Sequence, residues 1–312
     1  MFSTTFLRRL FPLLLLSGLA RPVLAGVPFN VGAVEAQLDT SLDYSLLWAT
    51  ENPDNNLVGA NNDGRGLSTA SDDARLNYAA GDSISRQLSG TTAVELRYQD
   101  SGAYLSGRYW YDFALQNDQL AFRQVEDGGR QQAAKSSGGE FLQAFVYQRY
   151  ELAEQAGELR VGQQTLNWGE GLFISNGLNQ LNPRQVSAYR QPLTLVQEGF
   201  RPSNLLHLSQ AISQRWELEG FYQLSRATDV TENCSTFFSQ PDYVAQGCSD
   251  NLAVLRTRQQ VLTQYGQPAL DTLQGLGVSW NVPDEGVLVR RGEDRQVSES
   301  GQFGLALHYF AE

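Results

Sequence analysis

The segment from Trp168 to Arg190 concentrates side chains that can hold a small polar solute. It combines charged groups with amide and hydroxyl groups that donate or accept hydrogen bonds. Its members are Glu170, Asn176, Asn179, Asn182, Arg184, Tyr189 and Arg190. A segment of this kind can bind a solute by charge and hydrogen bonds. The alternative is that its asparagines only satisfy the hydrogen-bonding groups of the segment's own backbone.

A second set of ionisable residues falls at every other position of segments in which polar and apolar residues alternate. The spacing predicts that these charges share one face of a sheet: Glu35, Asp39, Asp43, Glu95, Arg97, Arg108, Asp112, Glu158, Arg160, Glu217 and Glu219. Opposed rows of arginines and carboxylates set a transverse field in a pore and orient polar solutes. The alternative is that these residues only pair across neighbouring strands.

His207 and Ser209 lie two residues apart and therefore on one face of a strand, which raises the question of hydrolysis. A serine nucleophile needs a base within hydrogen-bond reach and a group that stabilises the oxyanion. Outer-membrane phospholipase A uses a similar His-x-Ser pair, but its motif continues with Asn-Gly. Here Gln210 and Ala211 follow, and no third residue to orient the histidine can be named. The sequence therefore does not predict an enzyme.

Both cysteines, Cys234 and Cys248, fall in one predicted loop. An exported chain can oxidise them, and the bridge would close a loop of about 15 residues and contribute ~3 kcal/mol. Two free thiols are the alternative. No CxxC or Cys/His spacing predicts a metal site, and no cofactor is predicted.

Residues 1–25 predict a Sec-type secretory signal peptide that is removed after Ala25. Arg8 and Arg9 precede the short apolar run Leu10–Leu19, and small residues surround the predicted cut. A run of about 10 apolar residues is too short for a membrane span, which needs ~20. Residues 26–312 are then one exported domain. The chain is acidic, with a net charge of −11 and a pI of 4.7, and this argues against binding of nucleic acid.

Alternating polar and apolar residues predict long amphipathic strands, most clearly over Val34–Trp48. This alternation is too long for a soluble sheet, whose strands run ~5–6 residues, and suits a tilted membrane crossing. Seven further strands are predicted, at Leu88–Tyr98, Ala103–Leu115, Glu140–Leu152, 157–168, Asn204–Ile212, Arg215–Ser225 and Gln302–Phe310. In Glu140–Leu152 the apolar residues fall on both faces, so its orientation is not assigned.

Short and long connections alternate along the chain. Turns are predicted near 99–102, 153–156 and 213–214, and long connections fall at 49–73, 116–139, 169–203 and 226–300. The last of these is predicted to hold a helix between Leu252 and Tyr265 and a hairpin near Leu276–Val282. Two unequal ends are typical of an outer-membrane barrel with short periplasmic turns and long extracellular loops. The prediction is therefore an all-β, antiparallel transmembrane β-barrel of about eight strands, with Trp168 at the outer lipid boundary; the alternative is a periplasmic β-protein.

The run LRVGQQTLNWGEGLFISNGLNQLNP, from Leu159 to Pro183, resembles the DUF1302 family. So do GTTAVELRY, GAYLSGRYWYDFAL and SGQFGLALHYF. The resemblance covers nearly all of the mature chain and implies a porin-like outer-membrane protein of Gram-negative bacteria. Family members are longer, and a strand like Gln302–Phe310 falls near their middle. The chain is therefore expected to be the N-terminal half of a larger, truncated barrel; a complete small barrel is the alternative.

These features together predict an outer-membrane channel for the passive or facilitated passage of small solutes. Its expected partners are outer-membrane lipid, the barrel-assembly machinery and the solutes themselves. Relatives encoded near exporters and catabolic genes for hydrophobic compounds imply apolar or steroid-like solutes. A structural or surface-interaction barrel and a phospholipase-like barrel are the alternatives, and the sequence carries no prediction of oligomeric state.

Overall fold

The fold is dominated by one sheet of nine antiparallel strands. The computed structural model describes residues 24–59, 62–66, 70–168, 181–190, 199–239, 241–248, 251–280, 286–290, 292 and 298–310. The strands are β1 Leu24–Val31, β2 Val34–Trp48, β3 Ser83–Tyr98, β4 Ser101–Asp112, β5 Ser137–Leu152, β6 Gln155–Gln164, β7 Ser203–Ser213, β8 Trp216–Ser225, β9 Asn251–Leu255, β10 Val287–Arg290 and β11 Phe303–Tyr309. The order in the sheet is β1-β2-β3-β4-β5-β6-β7-β8-β11, and β9 pairs with β10 separately.

All eight predicted strands are present, and β2 has the predicted bounds. The all-β, antiparallel class is therefore confirmed. The additional strand β1 was not predicted, because LAGVPFNV lacks a regular alternation of polar and apolar residues. It folds back on β2 through the turn at Gly32 (φ 64°) and begins at Leu24, just before the predicted cut; residues 1–23 of the predicted signal peptide lie outside the described residues.

The strand predicted to reach Leu115 ends at Asp112. The Asp112 carboxylate accepts hydrogen bonds from the backbone N–H groups of Ala114 and Leu115 and so caps a short helix. The helices are α1 Asp73–Leu76, α2 Phe113–Asn117, α3 Val186–Arg190, α4 Arg258–Tyr265 and α5 Gln267–Gly275, with a 3₁₀ turn at Gln132–Ala134. Within the described parts of the chain, no helix combines the length and the apolar character that a membrane span requires.

The predicted helix between Leu252 and Tyr265 is confirmed only in its second half, α4. A capping box starts it: Thr257 Oγ1 accepts from Gln260 N at 3.2 Å, and Gln260 Oε1 accepts from Thr257 N at 3.0 Å. The first half forms β9. The hairpin predicted near Leu276–Val282 is wrong over its described part, 276–280, which contains no strand.

The two ends of the sheet differ as predicted. At one end, two-residue turns at 32–33, 99–100, 153–154 and 214–215 join strand pairs. Ala153 (φ 52°) and Glu154 (φ 61°) adopt the left-handed conformation that matches the twist of a hairpin. At the other end the connections are long, at 49–82, 113–136, 165–202 and 226–302. We call these the short-turn end and the long-loop end.

One face of the sheet is an apolar surface exposed on every strand. Register connects one residue from each strand in a continuous row: Phe29, Ala36, Leu96, Ala103, Val146, Val161, Leu206, Tyr222 and Phe303. Most of these side chains are exposed, as are Leu42, Leu105, Leu208 and Leu305 on the same face. We call this the apolar face and the opposite one the polar face.

A β-bulge at Leu142 explains why β5 could not be oriented from its sequence. Gln143 pairs with Ser106 and Phe141 pairs with Gly107, so Leu142 has no partner and the alternation shifts by one residue. Phe141 therefore lies on the apolar face, 65% exposed, whereas Tyr147 lies buried on the polar face. A single inserted residue moves every side chain beyond it to the other face.

At the long-loop end, the described parts of connections 49–82, 113–136 and 226–248 pack on one another; we call them the loop cap. Asn77 links all three, because its Nδ2 donates to Arg123 O at 2.9 Å and to Ser235 O at 3.0 Å. Tyr78 packs edge-on to Phe237, and burial raises the pKa of its hydroxyl far above the ordinary value. The predicted disulfide is confirmed: Cys234 and Cys248 are joined, with Cα atoms 5.1 Å apart.

Candidate functional site

The polar face carries the charged residues that the alternation predicted to lie together. On β3, Arg97 Nε and Nη2 donate to the two carboxylate oxygens of Glu95 at 2.8 and 2.6 Å. Tyr147 Oη, from β5, donates to Glu95 Oε1 at 2.9 Å. Tyr147 reaches it by lying across Gly102, where an added Cβ would stand 2.2 Å from the ring. A side chain at position 102 would therefore displace the Tyr147 ring from this position.

A second charged group lies beside the first, on β5 and β6. Arg149 Nε donates to Glu158 Oε2 at 2.9 Å, and Arg160 Nε donates to Glu158 Oε1. Arg149 and Glu158 are also direct cross-strand partners. At these positions the charged residues lie on one face and pair with one another, as the alternative describes, and their effect on a solute stays a prediction.

The remaining predicted charges on this face have different environments. Asp39 accepts from Gln37 Nε2 at 3.0 Å, and Asp43 lies opposite Ser89. Asp112 is buried; besides capping α2, it accepts from Ser85 Oγ at 2.5 Å and from Arg86 N at 3.1 Å. Asp112 therefore holds the strand end through these hydrogen bonds, and its role as a pore-lining residue stays a prediction.

Four polar residues meet where the strands approach the long-loop end. Arg108 on β4 donates through Nε to Glu140 on β5 at 2.8 Å, and Arg201 Nη2 lies 3.5 Å from the other Glu140 oxygen. Arg108 Nη2 also donates to Gln185 Oε1. We call Arg108, Glu140, Gln185 and Arg201 the rim cluster. Burial lowers the pKa of the Arg201 guanidinium, and the nearby Glu140 carboxylate opposes this shift.

The rim cluster lines a cavity of ≈150 Å³. The cavity lies where β5 and β6 stop pairing, since their last pair is Ala144 and Gln163. It is smaller than the ~300–1,000 Å³ of pockets that enclose a whole drug-sized ligand. The cavity therefore suits water or one polar group of a solute, presented to two arginines and one carboxylate.

The rim cluster joins segment 181–190 to strand β4. Gln185 is buried, and its Nε2 donates to Ala133 O at 3.3 Å and to Ser187 Oγ at 3.1 Å while its Oε1 accepts from Arg108. Sequence reasoning missed Gln185, Glu140 and Arg201. The bulge shifts the alternation around Glu140, and the other two lie in a connection without periodicity.

The residues predicted to bind a solute in this segment separate into three groups. Asn182 is buried, and its side chain forms two hydrogen bonds with the backbone of Leu166. At this position the alternative applies, in which an asparagine satisfies backbone groups. Tyr189 is exposed and packs edge-on to Phe200, and Arg184 N donates to Asp229 Oδ1 at 2.7 Å. Glu170, Asn176, Asn179 and the side chain of Arg190 lie outside the described residues.

Trp168 does not lie on the apolar face, so its prediction as an outer lipid-boundary residue is wrong. Its ring packs against Phe221 on the polar face, with centroids 5.1 Å apart. It also covers Gly304 of β11, where an added Cβ would stand 3.0 Å from the ring. The chain that leaves β6 therefore turns toward the polar face at the end of the sheet.

His207 and Ser209 share the polar face of β7, as their spacing predicts. Ser209 Oγ donates to Glu217, and His207 Nε2 lies 3.9 Å from Glu219 Oε2. His308 Nε2 lies 3.5 Å from the same carboxylate oxygen. Among the described residues no hydrogen bond joins the serine to the histidine, so the arrangement lacks the nucleophile–base contact of a hydrolase.

Comparison with known proteins identifies a family. Residues 6–312 match a family model described as "Protein of unknown function (DUF1302)". No curated protein and no solved structure matches the chain.

Proposed function

The chain belongs to the DUF1302 family, and we propose that it is a porin-like outer-membrane channel for small solutes. The observation that carries the proposal is the two-sided character of the nine-stranded sheet. One face is an exposed apolar row that crosses every strand, and the other holds ion pairs and polar side chains. A membrane wall that encloses a wet interior requires this combination.

Lipid accounts for the apolar face better than water does. Soluble monomers rarely expose contiguous apolar patches larger than a few hundred Å². Here exposed leucines, tyrosines and phenylalanines continue across all the strands. In a bilayer these side chains contact acyl chains, and the long strands match the tilted crossings of an outer-membrane barrel. We therefore propose insertion by the barrel-assembly machinery, with the long-loop end outside the cell.

The wall must be completed before it encloses a pore. Among the described strands, β1 pairs with β2 and β11 pairs with β8, so each has one hydrogen-bonded neighbour. Open sheet edges do not occur in the hydrocarbon region, because their backbone groups would be unsatisfied. We propose that further strands pair with β1 and β11, as in a barrel larger than these nine strands.

The rim cluster marks the proposed passage. Segment 181–190 is anchored to Arg108 through Gln185, and in this proposal it narrows the pore at the long-loop end. The arginines and the carboxylate around the cavity can hold the polar group of a solute that also has an apolar body. No catalytic step is part of this proposal.

Swelling of liposomes that contain the protein tests the proposal. The protein is purified from the membrane in which it is made, so that the wall remains assembled, and graded sugars, amino acids and amphipathic carboxylates are supplied. We expect swelling whose rate falls with solute size. Lipid hydrolysis that is lost in His207→Ala would favour the enzyme, whereas neither flux nor hydrolysis would contradict the channel and favour a structural role.

A further inference from the structure

Three carboxylates from distant parts of the chain meet inside the loop cap. Asp72 and Asp73 lie at the start of α1, and Asp242 comes from the connection that follows β8. One oxygen of each carboxylate lies within 4.8 Å of the other two. Asp72 is 0% exposed and Asp242 is 5% exposed. Two of the three carboxylates are therefore almost wholly removed from solvent.

Each buried carboxylate has one oxygen that is held and one that is spare. Asp72 Oδ2 accepts from Gly59 N at 2.7 Å and from Asn62 Nδ2 at 3.0 Å. Asp242 Oδ2 accepts from the backbone N–H groups of Asp72 at 3.0 Å and Asp73 at 3.3 Å. The Oδ1 atoms of Asp72 and Asp242 are buried and have no hydrogen-bond partner in the described chain. The held oxygens fix the orientation of both groups, so the spare oxygens have set positions.

The charges of the cluster are not balanced by the protein groups described around it. Arg123 Nη1 lies 3.0 Å from Asp73 Oδ2, and among the described residues this is the ion pair that involves the cluster. Two buried carboxylates are left with amide donors on one oxygen each. These donors offset part of the cost of burying the two charges, which is roughly several kcal/mol for an unpaired ion, and a bound cation or a proton would offset the rest.

We propose that Asp72, Asp73 and Asp242 bind a Ca²⁺ ion that joins connection 49–82 to connection 226–248. For three oxygens this close there is a point within ~2.8 Å of all of them, so small shifts reach the Ca–O distance of ~2.3–2.6 Å. Carboxylate oxygens on irregular loops suit Ca²⁺ better than Mg²⁺, which demands near-ideal octahedral geometry at shorter distances. Backbone carbonyls or water complete the shell.

The disulfide constrains the loop that carries Asp242. Cys234 and Cys248 flank Asp242 and close the loop that carries it. Asp242 N donates to Ala70 O at 2.9 Å, so this loop already contacts the chain next to Asp72. The ion would thus add a second cross-link to a loop cap that the disulfide and the Asn77 hydrogen bonds already order.

Isothermal calorimetry with the full-length, chelator-treated protein tests the proposal, with CaCl₂ as the titrant. We expect one site with a dissociation constant of ~10⁻⁴–10⁻³ M, as in extracellular calcium modules. Asp242→Asn and Asp72→Asn should weaken binding at least as much as the ~10–100-fold loss seen when supporting residues of metal sites are changed. Glu51→Gln, an exposed acid of the same connection, is the matched control and should bind like the wild type.

Three results would overturn the proposal. One is a wild-type protein that gives no binding heat; if Asp242→Asn is then more stable than the wild type without calcium, the carboxyl groups share a proton. Another is equal binding by Glu51→Gln and Asp242→Asn, which would place calcium elsewhere. The third is binding of Mg²⁺ as tight as that of Ca²⁺. If both buried variants misfold, Asp73→Asn tests the same site, because Asp73 is only half-buried and holds Asp242 through its backbone N–H.

Discussion

Replacing Leu208 by arginine should separate a membrane wall from a soluble sheet. Leu208 lies at the middle of β7, on the apolar face and 39% exposed. Its neighbour Ser209 lies on the polar face, opposite Glu158 of β6 and Glu219 of β8. The two positions share a strand and nearly the same depth, and they differ in the face they occupy. Leu208→Arg and Ser209→Arg are therefore a matched pair.

The two environments predict different magnitudes. At the midplane of a bilayer, an arginine on the lipid face of a barrel costs ~2–4 kcal/mol, or about a 30- to 900-fold change in the folding equilibrium. On the surface of a soluble protein, a substitution away from special features stays within ~0.5 kcal/mol. Ser209→Arg loses the hydrogen bond to Glu217 but places a guanidinium between Glu158 and Glu219, so we expect a change of less than ~1 kcal/mol.

Urea unfolding of the two variants and the wild type in phosphatidylcholine vesicles measures the difference. Tryptophan fluorescence and the gel mobility of unheated samples report the folded fraction. The reasoning is refuted if Leu208→Arg unfolds within ~0.5 kcal/mol of the wild type, since this is the range of a water-exposed site. It is also refuted if Ser209→Arg is the more damaging variant.

Four further predictions follow from the described contacts. The double variant Cys234→Ser/Cys248→Ser should lose ~3 kcal/mol of loop-cap stability, measured as faster proteolysis within 226–248. Gly102→Ala should cost ~1–3 kcal/mol by displacing the Tyr147 ring, whereas Gly139→Ala, whose nearest contact is 3.4 Å away, should be better tolerated in the same urea assay. Gln185→Ala should speed liposome swelling by releasing segment 181–190 from Arg108, and Gln259→Ala, on the exposed side of α4, should leave the rate unchanged. Asp112→Ala should destabilise the end of β4 by ~1–2 kcal/mol, because it removes the cap of α2 and the partner of Ser85, and hydrogen exchange of the amides of Ala114 and Leu115 should rise.

The sheet was predictable from sequence because its two faces differ. One face carries apolar side chains and the other carries polar or charged ones. Polar and apolar residues therefore alternate along each strand with a period of two, as in Val34–Trp48. The alternation is interrupted or absent at two places in the sheet. The bulge at Leu142 adds one residue without any change of composition, and β1 has no alternation to read.

The sequence predicts which face of the sheet carries the charged residues of the candidate site but not which residues contact one another. Arg97, Arg108, Glu95, Glu158 and Arg160 lie on the polar face because register follows from strand parity. The rim cluster depends on Gln185 and Arg201, which reach Arg108 and Glu140 through an irregular connection. Asp72 and Asp242 come together over a separation of 170 residues, for which no local pattern exists. Trp168 was expected on the wrong face because the turn toward the polar face after β6 depends on tertiary contacts with Phe221.

The reversal potential of the purified protein in a planar bilayer, under a KCl gradient, tests the central proposal most directly. Acids outnumber arginines on the polar face. The acids on this face are Glu35, Asp39, Asp43, Glu95, Glu140, Glu158, Glu217 and Glu219, and the arginines are Arg97, Arg108, Arg149 and Arg160. A pore lined by this face should prefer cations. We expect a steady conductance with a cation-selective reversal potential, and a protein that inserts without any conductance would contradict the channel.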